Sequence, residues 1–243
     1  MLHKTAAIVL RTVKYGETSL VATLFTEKFG LQTYMINGIR ATKAKNIKGP
    51  MFQPGAQLIM EVYHQPQKNM QRIKECSWKV IYQHLFSHVI KNSVALFMVE
   101  LLQRALKQPE ENELLFAFMS DALLHLDKAS IAATANYPLF FALNLPHFFG
   151  FELKPISNKS IPSNIQNENF LSHQPGALLG IDGKNEELLN DLLSVRMPEE
   201  LEIFKISSST RNLLLNKIIL YYQQHIADFG ELRTLPILRK ILA

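Results

Sequence analysis

Cysteine is almost missing from this chain of 243 residues, Cys76 being the only one. A single thiol excludes an intrachain disulfide and any thiolate zinc cluster, and it fits a reducing compartment. Long apolar runs are missing too. Lys4 precedes only six weakly apolar residues before Arg11 interrupts, which is too short for a secretory signal. The most apolar later run, 139–151, is broken by Asn144, Pro146 and His147 and falls short of the roughly 20 residues that a spanning helix needs. A soluble, cytoplasmic protein is expected.

Catalytic signatures are also lacking. There is no Gly-x-x-x-x-Gly-Lys-[Ser/Thr] phosphate loop, and Gly176, Gly180 and Gly183 have the wrong spacing for a dinucleotide fingerprint. No Gly-x-Ser-x-Gly elbow occurs. His84 and His88 stand four apart on the predicted first helix, the spacing that puts two imidazoles on one face, but a zinc site needs a third ligand and none converges. His64, His147 and His173 are scattered. No cofactor, no metal and no enzymatic turnover are expected.

What the chain does have is a segregated charge. Residues 1–79 carry twelve Lys or Arg against four Glu, a balance of +8, and the remainder balances at −3. A one-sided positive field implies a polyanionic partner that approaches the first third. The densest cluster is 38–49, GIRATKAKNIKG, where Arg40, Lys43, Lys45 and Lys48 occur without an acidic residue. This loop lies between two segments with a period of two: 31–37, in which Leu31, Thr33 and Met35 alternate with Gln32, Tyr34 and Ile36, and 56–64, in which Leu58, Met60 and Val62 alternate with Gln57, Glu61 and Tyr63.

Two further strands precede the loop, at 4–14 and 20–26, and 70–75 supplies a fifth. Gly30, in the connection before the third strand, is free to take a positive φ. Five short strands within about 75 residues, with no room for helical crossovers, must pair mostly antiparallel and curl into a small barrel, which suggests an OB-fold. Aromatic residues thread this third. Tyr34 and Tyr63, on the more polar sides of their strands, suit either core packing or stacking on nucleic-acid bases; Phe25 suits the core.

From Val80 the period becomes helical. A largely apolar helix is expected over 82–106 and a second after Pro109, which suits a first turn, with Glu110, Glu111 and Glu113 at the positive end of its dipole. A third is expected over 131–148, broken or restarted at Pro138. Residues 154–183 are rich in Asn, Ser, Pro and Gly and form an irregular excursion. Helices follow over 186–195 and from a Ser207 or Ser208 cap through Phe229 to a Gly230 terminator, and a short segment over 236–242 closes the chain. The predicted class is α+β: an OB-fold barrel over 1–78 and a helical domain over 79–243.

One set of residues carries a family resemblance. Ala7-Ile8-Val9-Leu10-Arg11 on the first strand is followed by Tyr15-Gly16-Glu17, by Leu24-Phe25-Thr26 with Gly30, by Gly38 and its basic run, and by Gln53-Pro54. In order and spacing these resemble the N-terminal domain of the bacterial DNA repair protein RecO family. The helical part is similar mainly at Phe148-Phe149-Gly150-Phe151 and Phe170-Leu171-Ser172. The resemblance implies a recombination mediator that binds single- and double-stranded DNA and anneals strands. It also implies that the protein acts with RecR to load RecA onto strands coated by single-stranded DNA-binding protein, and that it is nucleoid-associated. The expected DNA contacts are Arg11, Arg40, Lys43, Lys45, Lys48, Tyr34 and Tyr63. A site for the acidic, hydrophobic tail of single-stranded DNA-binding protein would need an apolar pocket rimmed by cations, for which Lys91, Arg104, Lys107 and Arg211 are candidates. Many relatives carry a four-cysteine zinc motif; the corresponding 154–180 here has no cysteine. An RNA-binding OB-fold protein of the translation apparatus and a purely structural adaptor are the alternative classes.

Overall fold

The computed structural model describes residues 1–37, 49–150, 154–155, 177–178 and 183–243. Its β-rich part is built on one long strand, β1 (Leu2–Tyr15), in which Thr5 to Leu10 are buried on both faces. A strand of this length serves two neighbours. Its first half pairs with β4 (Gln57–Tyr63) from Leu2 to Ile8, and its second half pairs with β2 (Ser19–Thr26) from Ala7 to Tyr15. The register shifts between Val9 and Arg11, and such a bulge bends a strand and sharpens its twist. Next come β3 (Gly30–Ile36), antiparallel to β2, and β5 (Gln71–Trp78), antiparallel to β4. A short parallel pairing of Tyr34 and Met35 with Gln71 and Arg72 closes the ring in the order β1-β2-β3-β5-β4. This is the OB-fold barrel.

The barrel interior is filled by Ala7, Val9, Ala22, Leu24, Ile36, Leu58, Met60 and Val62, together with Tyr34, and Met51 and Phe52 of a 3-10 turn (Gly49–Phe52) join them. Ala22 pairs directly with Tyr34, and its small side chain leaves room for the phenol ring. Gly30 is required twice over: its φ is +58°, and a Cβ there would overlap the backbone of Glu110.

The chain divides into two compact units that do not follow a single cut: residues 1–87 with 102–124, and residues 88–101 with 125–243. In the first unit the barrel is tied to the later segment by a buried polar network. The Gln57 amide donates to the Ser120 carbonyl and the Tyr82 hydroxyl, both at 2.9 Å, and accepts from the Ser120 hydroxyl at 2.8 Å. Phe25 turns away from the barrel interior and packs against Phe116, ring centroids 5.6 Å apart.

The helices among the described residues are α1 (Val89–Ala105), α2 (Glu113–Lys128), α3 (Ile131–Asn144), α4 (Gly183–Ser194), α5 (Ser208–His225) and α6 (Thr234–Ile241), with a two-residue parallel pair β6 (Lys154–Pro155) and β7 (Ala177–Leu178). In the second unit α3 is the buried centre, with Ala133, Thr134 and every residue from Asn136 to Leu143 inside. It meets α4, α5 and the 3-10 turn Pro198–Ile203. The Tyr222 hydroxyl donates to the Ala142 carbonyl at 2.9 Å, and the Glu100 carboxylate accepts from the backbone N–H groups of Arg233 and Thr234, holding the start of α6.

Several expected boundaries move, each for a local reason. The first helix starts at Val89, so His84 and His88 lie before it and not on a shared helical face. Pro109 stays in the preceding loop because Asn112 caps α2, its side-chain oxygen accepting from Leu115 N–H at 2.9 Å. Pro138 neither breaks nor restarts α3, which runs through it to Asn144 and yields to a 3-10 turn (Leu145–Phe149) containing Pro146; burial all round compensates the lost N–H. Ser207 caps α5 as expected, by accepting from Thr210 N–H, but the helix ends at His225, where Ile226 turns extended.

Candidate nucleic-acid interface

A β-ladder places residues that face each other on the same side of a sheet, so the barrel's outer surface can be read from its registers. Val13 on β1 faces Val21 on β2, Val21 faces Met35 on β3, Met35 faces Arg72 on β5, and Arg72 faces Tyr63 on β4. One row of outward residues therefore crosses all five strands. One pleat away, Arg11 faces Thr23 and Thr23 faces Thr33. Arg11, Arg72 and Tyr63 are exposed, Tyr63 by 48%. The β4–β5 loop adds Lys68, and Lys28 projects from the β2–β3 turn.

Two concavities lie on this surface. A cleft of about 550 Å³ is lined by Thr23, Lys28, Gln32 and Thr33 from the β2–β3 side, by Lys68 and Asn69 from the β4–β5 loop, and by Lys107, Pro109 and the carboxylate-bearing Glu111. At its wall His64 stacks on Phe29 with centroids 3.9 Å apart, and His3 meets the same ring edge-on. Burial, then His3, then the chain's terminal ammonium hold the His64 pKa below its ordinary value. A pocket of about 500 Å³ is lined by Tyr63, Gln65, Lys68, Met70, Gln71 and Arg72, so Lys68 belongs to both concavities. In OB-folds the face of the second and third strands, with the β1–β2 and β4–β5 loops, is where oligonucleotides bind. The chemistry on offer is phosphate neutralisation by four exposed cations and stacking on the exposed tyrosines Tyr63 and, beside the β1–β2 loop, Tyr15.

The expected contacts fare unequally. Arg11 and Tyr63 stand on this surface. Arg40, Lys43, Lys45 and Lys48 lie outside the described residues. Tyr34 corrects the expectation of a stacking platform: it is 0% exposed in the barrel interior, its hydroxyl has no hydrogen-bond partner among the described residues, and burial pushes its pKa far up. β3 turns Tyr34 and Ile36 inward and leaves Leu31, Thr33 and Met35 half-exposed. Lys68 and Arg72 were not singled out from the sequence. The available signal was the register that β5 must adopt beside Tyr63.

Two of the four cations expected around a tail-binding pocket are spent inside the helical unit. Lys91 donates to the Asp127 carbonyl at 2.7 Å, and burial lowers its pKa. Arg211 is 8% exposed and donates to the carbonyls of Leu242 and Ile206 and, at 3.4 Å, to the Asn136 side chain. Arg104 is half-buried and Lys107 exposed.

No zinc site fits. The 154–180 stretch offers no thiolate, and Cys76 sits on β5 with its thiol pKa pushed up to about 12 by burial, which disfavours the coordinating form. Among the described residues no three His, Cys, Asp or Glu side chains gather as a metal site. No described helix is long and apolar enough to cross a membrane.

Fold and surface together define a protein built on an OB-fold barrel with an added helical unit, and comparison with known proteins assigns it further. Residues 1–82 match the model of "Recombination protein O N terminal" and residues 87–235 that of "Recombination protein O C terminal". The chain is 33% identical over 242 residues to the DNA repair protein RecO of Christiangramia forsetii, covering 99% of both chains, and 31% identical over 249 residues to that of Phocaeicola vulgatus, covering all of both. The DNA repair protein RecO of Salinibacter ruber is 28% identical over 184 residues, covering 76% of this chain and 69% of its own. The chain belongs to the RecO family of DNA repair proteins.

Proposed function

We propose that the chain is a recombination mediator that binds single- and double-stranded DNA through its barrel and anneals complementary strands. With RecR it would help to load RecA onto strands coated by single-stranded DNA-binding protein, acting without turnover in the cytoplasm on the nucleoid. The division of labour is a DNA-binding domain over 1–78 and a partner-binding domain over 79–243. The observation that supports this reading best is the outer surface of the barrel, where Lys28, Lys68 and Arg72 line two concavities beside an exposed tyrosine and Arg11 stands opposite Thr23 at the edge of one of them. No described residue pairs with any of these four side-chain cations, so they are available to a polyanion. The basic segment 38–48 belongs to the same third of the chain and adds four more cations.

Titration of fluorescent single strands, duplexes and an RNA strand of matched sequence at several salt concentrations tests the reading. Binding to both DNA forms is expected, with an affinity that falls linearly in log salt, and complementary strands should anneal faster in the protein's presence. Preference for the RNA strand, or near-zero binding to all three, would contradict it.

A further inference from the structure

We propose that the β4–β5 hairpin forms a subsite for one unpaired nucleotide, with the base on Tyr63 and its flanking phosphates on Lys68 and Arg72, and that this subsite selects single strands over duplex. The inference rests on the DNA-binding reading above and specifies where on the barrel a strand is told from a duplex.

Three observations carry it. First, Tyr63 is 48% exposed at the end of β4 and directly faces Arg72 on β5, so an aromatic ring and a guanidinium share one step of the ladder. Second, the pocket beside them, about 500 Å³, lies within the roughly 300–1,000 Å³ usual for a site that takes one small ligand. It is walled by Met70 and Lys68, and no carboxylate of the described residues lines it. Third, the loop that closes it is fixed by a single buried amide. Gln71 accepts from Gln65 N–H at 2.9 Å and donates to the Gln65 and Lys68 carbonyls at 2.8 and 2.7 Å. Both N–H donors and one of the two carbonyl lone pairs of that amide are spent on the loop, which holds the Lys68 backbone at the rim of the pocket that Tyr63 also lines. Gln71 is thus a positioning residue.

Selectivity follows from the ring. A base can lie on Tyr63 only with one face free of its neighbours, which a single strand offers at once and a duplex offers only after unpairing and unstacking a nucleotide. The cations do not discriminate, since both forms present phosphates. Lys68 also lines the cleft over β2 and β3, so a strand seated here continues onto that face.

The test uses the full chain with a single-stranded oligonucleotide and a blunt duplex of equal length at fixed salt. Tyr63→Ala should weaken single-strand binding about ten- to hundred-fold, leave duplex binding within twofold and leave the salt slope unchanged, while Tyr63→Phe should bind as the parent does. Arg72→Ala should weaken both forms and reduce the single-strand salt slope by about 0.7. Single-strand affinity unchanged in Tyr63→Ala, or lost equally for both forms, would overturn the subsite while the DNA-binding reading stands. A parent protein that binds neither form would overturn both.

Discussion

In the helical unit the cations Lys91 and Arg211 are buried and end on backbone carbonyls, whereas on the barrel Arg11, Lys28, Lys68 and Arg72 are exposed and no described residue pairs with them. The same contrast divides two tyrosines of the barrel itself: Tyr34 points inward beside Ala22, and Tyr63 points outward beside Arg72. Residue type therefore says little about role in this protein. A buried cation is a tie between backbone segments, and its removal strands acceptors in a low-dielectric interior. An exposed one held by no neighbour contributes little to stability and is available to a ligand.

Stability measurements can break this contrast. The largest effect is expected at Tyr34, where truncation to Ala opens a cavity inside the barrel and should cost about 3–5 kcal/mol in urea denaturation. Tyr34→Phe, by deleting a buried hydroxyl that has no partner among the described residues, should be neutral or slightly stabilising. A Tyr34→Ala protein that keeps its stability but loses DNA affinity would return Tyr34 to the surface role. Arg211→Ala, which leaves two carbonyls without their donor, should cost about 2–3 kcal/mol. Arg72→Ala should stay within about 0.5 kcal/mol of the parent. Equal losses at the two arginines would erase the distinction between the units.

Binding sharpens it. Lys68→Ala with Arg72→Ala should lower the single-strand salt slope by about 1.4, two phosphates at roughly 0.7 each. The smallest effect concerns pH. The folded His64 imidazole resists protonation, through burial first and then through the His3 and terminal ammonium charges. Below the ordinary value of 6.5 the unfolded chain takes up a proton that the folded one refuses, so stability should fall as pH drops from about 6.5 through the lowered folded pKa. His64→Gln should flatten that part of the melting-temperature profile. A profile equally steep in the variant would assign the effect elsewhere.

The period of two made the five strands and their closure into a barrel readable, because each strand had to bury one face. It could not decide which face of β3 goes inward. Leu31, Thr33 and Met35 and the alternating Gln32, Tyr34 and Ile36 are each a mixture of apolar and polar residues, and the choice is made by Ala22 on the neighbouring strand. Arg72 was hidden for a related reason. Residues 70–75 read as a strand, but only its register against Met35 and Tyr63 turns one of its cations toward a pocket. In the helical part the caps decided the boundaries: Ser207 was readable, whereas Asn112 was overshadowed by Pro109, and Pro138 was overruled by burial on every side of α3.

The claim that the barrel third carries the polyanion-binding surface is tested most directly at its densest cationic stretch. Replacing Arg40, Lys43, Lys45 and Lys48 together by Ala should leave the circular dichroism and melting temperature unchanged. It should flatten the slope of log affinity against log salt for a single strand by about 3, four phosphates at roughly 0.7 each, and weaken binding at low salt. A folded quadruple variant with the parent's affinity and salt slope would contradict the account.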